Sequence, residues 1–99
     1  MEQSMQNLRV LGTAGKLPVQ VLIDSGSTHD FLNFETAMKL GWQAQETPPY
    51  VEIAGGGKLK IHGVWHGFRW KMQGLEFVFD LRIIELLHTC DMVLGLQWL

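Results

Sequence analysis

Short apolar runs alternate with polar residues along this chain, and small turn-forming residues interrupt them at close intervals. Leu8 to Leu11 and Leu17 to Ile23 are separated by Gly12-Thr13-Ala14-Gly15, which predicts a β-hairpin turning on that glycine-bearing stretch. In the second run Leu17, Val19, Val21 and Ile23 share one face. The run stops at Asp24-Ser25-Gly26-Ser27-Thr28, residues that favour turns and cannot continue a buried strand, so a loop is expected at the tip of a core strand. Asn33 followed by Phe34 to Gly41 predicts a helix of about two turns, with the Asn capping its start and Gly41 ending it in a left-handed conformation. Trp42 to Pro49 has no periodicity and reads as a surface connection. Tyr50 to Ala54 and Lys58 to His62 alternate on either side of Gly55-Gly56-Gly57, a second hairpin with a glycine tip. Val64 to Met72 and Leu75 to Ile84 predict further strands joined at Gly74. Met92 to Leu94 reads as a buried strand that Gly95 lets bend into a helix. Six or seven short strands and one short helix predict an all-β barrel or sandwich.

Composition narrows this picture. The chain has 99 residues, 46% hydrophobic and 18% charged, with a net charge of −2, which fits one domain; no stretch reads as a linker and none repeats. A chain of this size buries roughly 60–70% of its unfolded surface, enough for one modest core but not for a deep cleft, so a large cleft would need a second chain. Its single cysteine, Cys90, cannot close an internal disulfide, and a reducing compartment is expected. No apolar run is long enough to span a membrane, and Met1 to Gly15 carry no apolar leader core. Basic residues form no runs, so nucleic acid is not an expected partner. His62 and His66 would lie about 13 Å apart along a strand, too far for one ion, and no metal site is expected from them or from His88 and Cys90. Trp42, Trp65, Trp70 and Trp98 have the spacing of packing residues, not of a stacking platform. Gly55-Gly56-Gly57-Lys58 lacks the full pattern of a phosphate loop.

The strongest chemical signal is Asp24. A carboxylate at the end of an apolar strand, followed by Ser25 and Gly26, can face a second copy of the same loop, because Gly26 permits close backbone approach. Two carboxyls at such range cannot both ionise, so the pair becomes a general acid and a general base around one water. A bare Asp-Ser-Gly is also produced often by chance and by ordinary Asx turns.

The whole run Val21-Leu22-Ile23-Asp24-Ser25-Gly26-Ser27-Thr28 resembles the active-site signature of the retropepsins, the homodimeric aspartic proteases of retroviruses and retrotransposons. The glycine-tipped hairpin and Val93-Leu94-Gly95 follow in matching order over essentially the whole chain. Ile23 to Leu32 and Asp91 to Leu99 are most similar to proteases of gypsy-type LTR-retrotransposon Gag-Pol polyproteins. The resemblance implies a small closed β-barrel working as a homodimer, with no cofactor, a polypeptide substrate and a cytoplasmic location, including virus-like particles. It makes Asp24 the catalytic carboxylate, gives the Ser25 hydroxyl a bond across the dimer, and sets Gly26 beside the substrate backbone. Ser27 matches an Ala or Ser position, where a hydroxyl would donate to the ionised carboxylate and favour an acidic optimum; Thr28 completes the loop. Val51 to Ile61 match the flap that closes over bound peptide, with Ile53, Ala54, Gly55, Gly56, Gly57 and Lys58 at its tip. Val51, Ile53, Leu59, Met92 and Val93 are the expected pocket walls. Asp30 and Asp91 are expected to be structural, Asp91 by fixing nearby backbone. Family members continue past the Gly95 turn through a helix and a strand at the dimer interface, so Met5 to Leu11 is expected to carry more of that interface here. A weakly active peptide-binding module and a cellular regulatory protease remain the alternatives.

Overall fold

A computed structural model of the chain describes residues 7–27, 29–43, 50–52, 58–85 and 90–95. It contains strands β1 (Asn7–Ala14), β2 (Leu17–Asp24), β3 (Phe31–Asn33), β4 (Tyr50–Glu52), β5 (Lys58–Lys60), β6 (Gly63–Met72), β7 (Leu75–Ile84) and β8 (Met92–Leu94), with one helix, α1 (Phe34–Lys39). Six strands close a barrel in the order β1-β2-β8-β3-β7-β6, and β4 pairs with β5 in a separate two-stranded ladder. The all-β reading therefore holds, with a closed barrel and one short helix. No helix among the described residues is long and apolar enough to cross a membrane.

The first hairpin turns later than the glycines suggested. β1 runs straight through Gly12, and the turn falls at Gly15 and Lys16, where Gly15 has φ of +61°. Gly12 serves packing instead. A methyl group there would lie 2.5 Å from the Lys71 carbonyl oxygen and 3.0 Å from Trp70 Cε3, so the strand can pass over the Trp70 ring only without a side chain. The β6–β7 hairpin turns at Gln73 and Gly74, with φ of +52° and +81°, the left-handed pair of a two-residue hairpin turn. Helix α1 is shorter than expected: it ends at Lys39, with Leu40 as its C-cap and Gly41 left-handed behind it. Asn33 sits at its N-cap position in extended backbone without a side-chain cap bond, and its N–H donates to the Asp91 carbonyl oxygen at 2.7 Å.

Strand β8 is the keystone of the barrel. It lies parallel to β2, pairing Val21 with Met92 and Ile23 with Leu94, and antiparallel to β3, pairing Leu32 with Met92. Alternation then sorts the side chains of five strands onto two faces. Inward, Val21, Met92, Leu32 and Ile83 form one row, joined in the core by Trp70, Phe68 and Leu81. Trp70 stacks on Phe77 at 5.0 Å, and the tryptophans at 42 and 65 pack partly buried on the same core. Outward, Phe31, Ile84 and Val93 form a second apolar cluster with Ile61, flanked by Leu22, Val64 and Cys90.

Candidate active site

Asp24 ends β2, where the apolar strand gives way to residues that cannot extend it. The side chain then shapes its own loop: Oδ1 accepts the Gly26 N–H at 2.9 Å, while the Ser27 N–H donates to the Asp24 carbonyl oxygen at 3.0 Å. Asp24, Ser25 and Ser27 are partly buried and Gly26 is exposed, so the loop presents its backbone at the surface. Ser27, expected to donate to the Asp24 carboxylate, instead donates to the His29 carbonyl oxygen at 2.7 Å and accepts the His29 N–H at 3.3 Å. Its hydroxyl proton is committed to backbone, which removes the argument for an acidic optimum from Ser27. Thr28 lies outside the described residues.

Two carboxylates fix β8 in place, one at each end, and the first does so beside this loop. The buried Asp30 accepts the Gly95 N–H at 2.7 Å, and its carbonyl oxygen accepts the Arg82 N–H at 3.1 Å. Gly95 in turn packs directly behind the Asp24 loop. An added methyl would meet the Ser27 carbonyl oxygen at 2.7 Å and the His29 carbonyl oxygen at 3.0 Å. The glycine is thus required by close approach, and the expected bend into a helix falls on residues 96–99, outside those described. At the other end of β8, Asp91 Oδ2 accepts the Gln20 N–H at 2.8 Å and Oδ1 accepts the Thr36 hydroxyl at 2.6 Å. Asp91 thus ties β2 and α1 to β8, as its sequence position suggested.

Asp24 and Leu22 are two apart on β2 and share a face. Leu22 pairs with Val93, Val93 with Phe31, and Phe31 with Arg82. The carboxylate therefore stands at the edge of an apolar strip in which Val93 and Phe31 are 9% and 8% exposed. Val93 is placed on the side where a pocket wall would be useful. Met92 is not: it is fully buried in the barrel core and faces away from Asp24, so it supports the strip from behind. Sequence reading overlooked Leu22, Phe31 and Ile84, although the alternation that buries Val21 and Ile23 already places Leu22 on the face of Asp24.

The backbones of Val51, Leu59 and Lys58 belong to the β4–β5 ladder, which pairs Val51 with Leu59 and Glu52 with Lys58. Ile53, Ala54, Gly55, Gly56 and Gly57 lie outside the described residues. His62 stacks on Phe34 with ring centroids 4.0 Å apart and lies 3.7 Å from Glu85. His66 sits 3.6 Å from Asp80, whose carboxyl is held below its ordinary value by the Gly67 N–H and, more weakly, by His66. Among the described residues no three His, Cys, Asp or Glu side chains are grouped to hold a metal ion.

No curated protein sequence matches this chain. Among solved structures, the retroviral protease-like domain of Ddi1 from Leishmania major is similar in fold, with a TM-score of 0.70 and 23% identity over 96% of this chain and 76% of that one. The family model of retroviral aspartyl proteases matches residues 4–99, nearly the whole length and including the Asp24 loop. On that match the chain belongs to the retroviral aspartyl protease family, as a retropepsin-like domain.

Proposed function

We propose that this domain is an aspartic endopeptidase that acts as a homodimer, each subunit contributing one Asp24. The observation that carries the reading is the placement of Asp24 beside the strip formed by Leu22, Val93 and Phe31 on one sheet face. A carboxylate beside an apolar strip that is nearly covered at Val93 and Phe31 and partly open at Leu22 suits an extended peptide, whose alternate side chains need apolar contacts while its backbone stays within reach of the carboxylate. Two such carboxyls sharing one proton activate a water: the ionised Asp24 removes its proton as it attacks the scissile carbonyl carbon, and the protonated Asp24 donates to the carbonyl oxygen. The β4–β5 ladder acts as the flap that covers the peptide and excludes bulk water. The substrate is a retroelement polyprotein, a reading supported by the similarity of Ile23 to Leu32 to gypsy-type proteases.

Incubation with a mixed peptide library between pH 4 and 7 tests this, together with pepstatin, an Asp24→Asn control and sedimentation across a concentration series. Asp24→Asn is expected to reduce cleavage by about 10³-fold or more while leaving the thermal transition in place. Cleavage that survives the substitution would sink the mechanism, and an active protein that sediments only as a monomer would sink the shared pair.

A further inference from the structure

The strand registers assemble one continuous row across five strands on the face of Asp24: Arg9, Leu22, Val93, Phe31 and Arg82. Its centre is apolar and both ends are cationic, in a protein whose net charge is −2. We propose that this row selects peptides in which an acidic side chain flanks an apolar cleavage segment, with Arg82 as the specificity-determining residue. The proposal rests on the endopeptidase reading above and specifies its substrate class.

Arg82 is the stronger end of the row because it is partly buried, whereas Arg9 is exposed. Its side chain is directed to this face because Leu81 and Ile83, on either side of it, are fully buried in the barrel core. Among the described residues no carboxylate lies within ion-pair distance of its guanidinium. The acids near it in sequence, Asp80 on β7 and Glu85 just past its end, are otherwise engaged. Asp80 accepts the Gly67 N–H at 2.9 Å and lies beside His66, and Glu85 lies 3.7 Å from His62. A guanidinium partly withdrawn from water gains most from a carboxylate, which its planar fork can take with two parallel hydrogen bonds. Neighbouring strands lie about 4.8 Å apart, so the path from Arg9 to Arg82 along the curved barrel wall is about 19 Å, which an extended peptide following that wall covers in about six residues. The acid that Arg82 reads therefore stands a few residues from the scissile bond, beyond the side chains that rest on Leu22, Val93 and Phe31.

The experiment uses the full chain and a set of peptides with an apolar centre, in which Glu or its neutral isostere Gln is placed at each flanking position in turn. At one position kcat/KM is expected to favour Glu over Gln by about 10- to 100-fold. Arg82→Gln should bring that ratio close to one, and Arg82→Glu should invert it. Because each variant is judged on a ratio of two substrates, partial loss of folded protein does not alter the readout. Binding of the same peptides to Asp24→Asn, followed by fluorescence anisotropy, should rank them in the same order. A wild-type ratio near one at every position, or a preference that persists in Arg82→Gln, would overturn the role of Arg82 while leaving Asp24-dependent cleavage standing. Cleavage indifferent to Asp24→Asn would instead overturn the underlying reading.

Discussion

Two rows of side chains cross the same strands one residue out of phase. Val21, Met92, Leu32 and Ile83 point into the barrel and none is more than 1% exposed. Leu22, Val93, Phe31 and Arg82 point the other way, next to Asp24, and end in a cation. The backbone is shared, so one ladder of hydrogen bonds holds both rows in place. What differs is what each side chain meets: the inner row is enclosed on all sides, whereas in the outer row Phe31 and Val93 are nearly covered and Leu22 and Arg82 keep partial exposure. A period of two thus lets the strands place core packing and the face of Asp24 at neighbouring positions, and substitutions one residue apart should have different consequences.

The largest expected effect is on the inner row. Met92→Ala should lower stability by about 2–5 kcal/mol in urea unfolding at fixed protein concentration, because a fully buried side chain leaves a cavity that rigid neighbours cannot fill. Gly95→Ala attacks the junction between the rows, since its methyl would meet the Ser27 carbonyl oxygen and push the Asp24 loop outward. A displacement near 1 Å there should cost about 100-fold in kcat. Val93→Ala, one residue from Met92, should cost only about 1–2 kcal/mol in stability and should show itself mainly as a raised KM for peptides with large apolar side chains. If it destabilised as much as Met92→Ala and left KM unchanged, the division between the faces would be wrong. Ser27→Ala is the smallest change: losing the bond to His29 should cost about 1 kcal/mol, with the acid limb of the pH–rate profile left where it was, because the hydroxyl does not reach Asp24.

Much of the barrel was legible in the sequence. The long strands alternate clearly, and Gly74 marks a turn that only left-handed backbone can make. Gly12 misled because a glycine required by a passing indole looks, in one dimension, like a glycine required by a turn. The error over Met92 has a different origin. Met92-Val93-Leu94 is an uninterrupted apolar run with no phase to read, so the choice of which residue faces Asp24 depends on pairing with Leu22 and Phe31, far away in sequence. Asp24 itself was legible because its loop is local. The Gly95 clamp on that loop was not, since Asp30 and Gly95 come together only when β8 docks. Arg82 drew no notice for the same reason: a single arginine in a strand means little until the residues beside it are known.

The placement of β8 also bears on how the protein is made. Its three residues sit between β2 and β3 and bond to the strand that carries Asp24, with partners 71 residues apart in sequence. Pairings of such long range form late and slowly, after the local hairpins are in place. A nascent chain that has completed β1 to β7 but not β8 has no Gly95 behind the Asp24 loop and no Asp91 joining β2 to α1. Asp24 is present from early in synthesis, but the packing behind its loop and the apolar strip beside it are complete only when the last described strand is inserted.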